Sequence, residues 1–321
     1  MLLALAKVVN KKLIQKPGLR LESLDSGALE LLLVSSRTIS ALWVGNPLSH
    51  YEQLCLKSFL PHGHQVQLFT YDEQILPPDG VERIDAREIL GERYIFENHR
   101  YPGTFTFFSN LFRYLLLTQE DTLWIDADIF CLSDSLPTDE YVFGYISDDE
   151  LNTAVLAAPQ SSELLQRMID ETLKFDPTKI IWGQTGPKLL QRVVNEFNLL
   201  NLAQSVNVFY PIHYREVWKL FDPESREEIS ERVAKSTCIH LWNEYFRRAP
   251  LPIKQYAPPV QSFLGEKFTE LNIDLSGIPV LENDWARDTW QHILNPHVPL
   301  KQKLKNKIHW ELTKLRTDET Y

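Results

Sequence analysis

Cysteine is scarce in this chain. Cys55, Cys131 and Cys238 are the whole complement of 321 residues, an odd number with no CxxC pair. Neither a disulfide framework nor a zinc knuckle can be built from them, so a reducing compartment is expected. Long apolar runs are also missing: none approaches the roughly 18–20 residues that a spanning helix needs. The N-terminal MLLALAKVV is short, is interrupted by Lys7 and lacks a basic n-region, so it is expected to be a helix packed on the body rather than a secretory signal. The expectation is a cytoplasmic protein, at most peripheral on the cytoplasmic face of a membrane. Positive charge is in deficit as well. Lys and Arg number 33 against 43 Asp and Glu, a net charge of -10, which argues against general nucleic-acid binding because phosphates require a basic face. There is no internal repeat and no low-complexity tract.

What remains is the composition of an ordinary globular protein, 44% hydrophobic and 24% charged, long enough for one large α/β domain with appendages. RTISALWV (37–44) reads as a buried strand closed by Gly45 and Pro47. The following SHYEQLCLKSFLPHG reads as a helix capped by Ser49 and ending near Gly63. HQVQLFTYD alternates like a strand, residues 104–119 form a long apolar helix, and TLWID is the next strand. Strands are expected at 141–147, 152–158 and 236–242, and helices at 161–175 and around 186–197. Strands separated by helices indicate an α/β fold with a mainly parallel central sheet flanked by helices. From Pro250 onward the chain reads as irregular until a last helix, in which Leu304, Ile308, Leu312 and Leu315 share a face. That helix carries Lys301, Lys303, Lys305, Lys307, Lys314 and Arg316 against the single Glu311. Such a basic amphipathic face either docks on anionic lipid or packs on the domain with its lysines in solvent.

Within LWIDADIF, an apolar strand delivers Asp126 and Asp128 at its carboxyl end, where open parallel sheets bind ligands. A carboxylate buried there without a partner costs several kcal/mol. The two acids are either caps and ion pairs of the fold, or hard oxygen ligands suited to Mg²⁺ or Mn²⁺ shared with the phosphates of a nucleotide. A phosphotransferase of the haloacid-dehalogenase type is a third reading, but that motif belongs on a first strand and continues with a small residue and Thr. Here Ile129 and Phe130 follow.

Further segments stand in a telling order: ALWVGNPLSHYEQLCLKSFLPHGHQVQLFTYD, FSNLFRYLLL, LWIDADIFCL, NTAVLAAP, GQTGP and HLWNE. Together, from about Ser40 to Arg247, they resemble glycosyltransferase family 32, the DXD-containing α-1,4-glycosyltransferase-like proteins. The resemblance implies a GT-A-like catalytic domain over 37–250, between an N-terminal helical extension (1–36) and a C-terminal extension (251–321). It implies a retaining hexosyltransferase that uses a divalent metal, Mn²⁺ or Mg²⁺, to move sugar from a nucleotide-sugar, commonly UDP-linked. The acceptor would be a glycan or lipid-linked glycan, as in surface polysaccharide or capsule synthesis. A sugar-nucleotide-binding relative without turnover is the alternative.

Residue by residue, Asp128 matches the metal-binding second carboxylate of the motif. Asp126 matches the first, which would contact ribose, the metal or its water, with Ala127 between them. His240 matches a late histidine that would complete the metal shell or meet the diphosphate, although a histidine on an apolar strand is commonly a satisfied core residue. Trp242 could pack on a sugar face or in the core. Ser109, Asn110 and Arg113 match a donor-sugar motif in which Asp is usual where this chain has Asn110. A buried Arg113 needs an anionic partner in any case. Trp43, Val44 and Gly45 would cradle the nucleotide through backbone groups, with Tyr71 and Asp72 near the base. Asn152 matches a sugar contact. Gln184, Thr185, Gly186 and Pro187 begin a helix whose N–H groups either meet a sugar oxygen or are ordinarily capped. Asp148 and Asp149 are placed by chain position as nucleophiles for a double displacement. A front-face substitution would need neither.

Overall fold

Alternation along the first strand decides how the core is divided. β1 (Thr38–Trp43) turns Ile39 and Ala41 into one hydrophobic cluster and Leu42 into another, because successive side chains of a strand point to opposite faces. The structure, a computed structural model, describes residues 36–45, 47–96, 104–177, 179–248, 252–283 and 286–287. The chain divides after Ser36, and the elements below belong to the unit that begins at Arg37. β2 (Gln65–Thr70) and β4 (Leu123–Ile125) repeat the alternation. Val66, Leu68, Leu123 and Ile125 join the first cluster, Phe69 and Trp124 the second. A sheet buried on both faces needs apolar residues at consecutive positions, which is why ALWV and LWI look uninterrupted.

The central sheet runs β3-β2-β1-β4-β7-β6, with β3 (Glu82–Asp85), β6 (Val142–Tyr145) and β7 (Leu151–Ala157). β3, β2, β1 and β4 are parallel, so that Ser40 faces Gln67 on one side and Trp124 on the other. β7 runs antiparallel to both β4 and β6. Only residues 146–150 connect β6 to β7, too few for the crossover of about a dozen residues that parallel neighbours require. A second, two-stranded sheet pairs β5 (Ile129–Cys131) with β8 (Cys238–His240) and sets Ile129 opposite His240.

In chain order the helices are α1 (His50–Ser58), α2 (Thr106–Gln119), α3 (Glu163–Leu173), α4 (Pro187–Glu196), α5 (Val206–Phe209), α6 (Arg226–Val233), α7 (Asn243–Arg248) and α8 (Phe263–Glu270). Helices α2, α3 and α4 bury Phe112, Met168 and Val193 in the second cluster. Helices α1, α6, α7 and α8 cover the opposite face with Leu54, Ile229, Phe246 and Phe268. The result is a mixed α/β architecture of the GT-A kind, with a mostly parallel central sheet flanked by helices.

Two of the differences from the reading of the sequence concern where helices end and begin. Helix α1 stops at Ser58 instead of running to Gly63, because Pro61 has no N–H to continue the ladder and disfavours helix at Leu60. The stretch after Pro250 is not wholly irregular: α8 is capped by Ser262, whose Oγ accepts from the Gly265 N–H at 3.1 Å. Ile253, Phe263, Leu264 and Leu281 join the same core cluster as Ile39. The expected N-terminal helical extension (1–36), save for Ser36, and the basic terminal helix lie outside the described residues. Among the described residues no helix is long and apolar enough to cross a membrane.

Candidate metal centre and cleft

Strand β4 ends at Ile125 and the chain turns at once. The Asp126 N–H donates to the Ala154 carbonyl at 2.8 Å, and the Asp126 carbonyl accepts from Ile129 N–H at 3.0 Å. This turn holds both carboxylates at the C-terminal end of a parallel strand. β5 then leaves the turn and pairs with β8, which brings His240 Nε2 to 3.1 Å from Asp128 Oδ2. Asp126, Asp128 and His240 form a group whose ligand atoms lie within 4.8 Å of one another.

Neighbouring donors decide which atoms are left for a ligand. Asp126 Oδ1 accepts from Arg113 Nη2 and from Trp124 Nε1, each at 2.9 Å, and these bonds leave Oδ2. Asp128 Oδ2 accepts from the Asn243 backbone N–H at 2.7 Å, which leaves Oδ1. Burial alone would push the Asp128 carboxyl up. The His240 ring, the Asn243 N–H and the Lys254 ammonium oppose this and hold it below its ordinary value, so it is ionised at neutral pH. His240 Nδ1 is buried and has no hydrogen-bond partner.

Two carboxylates and an imidazole suit a divalent ion of the Mg²⁺ or Mn²⁺ class. The ligand atoms that the three residues offer lie within 4.8 Å of one another, close enough for one ion to be shared among them. The residues present therefore fit such an ion.

Arg113 is buried on α2, and the anionic partner its position demands is Asp126. Its Nη1 donates to the Thr153 carbonyl at 2.5 Å, and its guanidinium lies 4.9 Å from the centre of the Trp124 ring. It thus orients the first carboxylate of the motif and ties α2 to β7.

The triad opens onto a cleft of about 2020 Å³. Trp43, Val44 and Gly45 line it from the end of β1, where Gly45 takes a φ of 104° that suits glycine and disfavours other residues. Ser109, Asn110 and Ala127 line it too, as does Asn152. The Asn152 Oδ1 accepts from the Thr153 and Ala154 N–H groups, so its remaining polar group is the amide NH₂. Asn110 Nδ2 donates to Thr185 Oγ1 at 3.1 Å, and its Oδ1 is buried without a partner. A Cβ at Gly186 would stand 2.9 Å from Asn110 Nδ2, so the loop before α4 approaches α2 this closely only as glycine.

Other expected residues are placed elsewhere. Tyr71 donates its hydroxyl to the Leu90 carbonyl at 2.6 Å and packs on Phe108, while Asp72 is exposed and accepts from Gln74 N–H. Neither lines the cleft. Asp149 lines it and accepts from Ser147 Oγ at 3.3 Å; Asp148 is exposed outside it. Gln184 caps its own loop by accepting from Ile181 N–H, and Thr185 is buried against Tyr114. Pro187 reaches the cleft. Trp242 lines it while donating to the Ile212 carbonyl at 3.0 Å, its ring 4.1 Å from that of His240. Sequence reasoning missed Trp124, Asn243, Lys254 and the buried Glu52. The one signal for Glu52 is its place three residues after the cap Ser49, and nothing local marks Lys254.

Residues 157–258 match the Alpha 1,4-glycosyltransferase conserved region. That stretch carries α4, His240, Trp242, Asn243 and Lys254, and lies downstream of the carboxylate pair. The chain is 28% identical over 183 residues to the lactosylceramide 4-alpha-galactosyltransferase of Rattus norvegicus, covering 53% of this chain and 50% of that protein. It is 26% identical over 178 residues to the protein of the same name from Homo sapiens, covering 50% of each. The chain thus spans about half the length of the curated relatives it matches. Over these stretches the chain is similar to alpha-1,4-glycosyltransferases, in line with the resemblance its motifs carry.

Proposed function

We propose that the protein transfers a hexose from a UDP-sugar to a hydroxyl of a glycan or glycolipid, with retention of configuration, using Mn²⁺ or Mg²⁺ held by Asp126, Asp128 and His240. One observation carries this reading: the carboxylate pair and a histidine distant in sequence converge at a strand end inside a cleft large enough for donor and acceptor together. When bound, the ion would offset the negative charge that the diphosphate gains as the glycosidic bond breaks. Arg113 and Trp124 aim Asp126, and the Asn243 N–H aims Asp128, so the ligands are oriented before the donor arrives. Asn152 and Ser109 are the polar groups next to the triad suited to reading sugar hydroxyls.

Each motif carboxylate has one oxygen held by protein groups and the other left for the ion, so neither is free to attack, which favours front-face substitution, where the leaving phosphate oxygen takes the acceptor proton. Asp149 is the cleft carboxylate a double displacement would use. Purified protein is to be offered a panel of UDP-sugars with Mn²⁺ or Mg²⁺ and both glycolipid and oligosaccharide acceptors, following UDP release and product anomer. Metal-dependent release with a retained anomer is expected. No release from any donor by folded protein would instead point to a sugar-nucleotide-binding relative. An Asp149→Asn variant that keeps most of its turnover supports the front-face route, and loss of turnover supports the nucleophile.

A further inference from the structure

Glu52 has no solvent exposure, yet its carboxylate sits in the wall of the cleft. Its Oε2 closes the capping box of α1, accepting from Ser49 N–H at 2.8 Å and from Ser49 Oγ at 2.5 Å. Capping a helix needs no more than that oxygen. The other one, Oε1, accepts from Asn243 Nδ2 at 2.7 Å and pairs with Lys254 Nζ, groups 191 and 202 positions further along the chain.

Asn243 is the residue whose backbone N–H donates to Asp128 Oδ2 at 2.7 Å. It follows Trp242, which holds a φ of 58°, a left-handed conformation uncommon for a bulky residue and maintained only where its surroundings impose it. The strained link turns the chain out of β8 so that the Asn243 N–H meets the carboxylate. A strained link tends to relax, and the Glu52 bond is the tether on its far side. The tether also sets the direction of the Asn243 amide: with Nδ2 toward Glu52, Oδ1 is left buried and without a donor.

We infer that Glu52 is a positioning residue for the metal centre, acting through Asn243 to hold Asp128 in its ligating orientation. The inference rests on the reading of Asp126, Asp128 and His240 as a divalent-metal site. Glu52 touches none of the reacting groups. It links the N-terminus of α1 to the ligand set across the cleft floor, and Lys254 neutralises its charge.

The test is Mn²⁺ affinity of the full chain, read as free Mn²⁺ by electron paramagnetic resonance, alongside thermal melting. Glu52→Met, which keeps most of the volume but has no oxygen to accept from Asn243 Nδ2, and Asn243→Ala are each expected to weaken Mn²⁺ binding by about tenfold, as for other residues that orient metal ligands. The double variant should bind no more weakly than the weaker single one, because both changes cut one link. Ser49→Ala, which removes the cap and leaves Oε1 alone, should lower the melting temperature and keep wild-type affinity. If Glu52→Met does not fold, the half-buried Asn243→Ala carries the same expectation. Folded variants with wild-type affinity, additive losses in the double variant, or an equal loss in Ser49→Ala would each overturn the inference while the metal site stands. Wild-type protein that binds no Mn²⁺ would overturn both.

Discussion

Arg113 shows how one buried charge ties the fold to the site. It is almost fully enclosed, at 1% exposure, and gives hydrogen bonds to the Thr153 carbonyl and to Asp126. Replacing it by Met keeps most of the volume but leaves the buried Thr153 carbonyl without its donor and the Asp126 carboxylate without its cation, with only Trp124 Nε1 still donating to it. A loss of about 3 kcal/mol in unfolding free energy is expected from denaturant titration, together with weaker Mn²⁺ binding as Asp126 loses its orientation. Asp128→Asn should behave in the opposite way. The amide keeps an oxygen for the Asn243 N–H, so stability should fall by less than about 2 kcal/mol. Mn²⁺ binding and turnover should be lost. A larger fall in stability with activity retained would assign Asp128 to the fold instead of the metal. The Asp128 contrast follows already from the sequence motif, whereas for Arg113 the sequence required an anion without naming it.

Elements are where local signals succeed, within limits set by length. The strand cores at 38–43 and 123–125 and the helix at 106–119 were legible, because each buries consecutive or periodic apolar residues. The cap at Ser49 was legible because its chemistry is local. β3 and β5 escaped notice: each is a few residues long, and its stability comes from its neighbour across the ladder. Helix α8 was hidden among prolines, and it depends on one glycine. A Cβ at Gly265 would stand 2.1 Å from the Pro259 carbonyl oxygen, a backbone atom that cannot swing away. Gly265→Ala should therefore cost about 3 kcal/mol, measured by urea unfolding, and α8 should separate from the core face it shares with Leu54 and Ile229.

For the molecule as a whole, the described end of the chain is fastened by charge as well as by apolar packing. Arg287 Nη2 lies 3.0 Å from Asp222 Oδ2, which also accepts from Ser225 Oγ at 2.7 Å. Burial raises the Asp222 carboxyl, but Ser225 and Arg287 outweigh it and leave it below its ordinary value. A carboxyl depressed on folding adds stability that is complete above its unfolded pKa, about 3.9, and is lost as pH falls through the lower folded value. The stability difference between wild type and Asp222→Asn should therefore be constant from pH 7 to about 5 and shrink below about 4, as followed by chemical unfolding at each pH. Sequence by itself determined the α/β class, most of the strands and the four longest helices, and the delivery of Asp126 and Asp128 to a strand end, because alternation, helical periodicity and capping act within a few residues. Only the tertiary structure decided that Asp128 meets His240 and Asn243, that Asp126 meets Arg113, and that Glu52 reaches Asn243 and Lys254. Those partners lie up to 202 positions apart, and their pairing is settled by which charges are taken out of water together when the two faces of the sheet are covered.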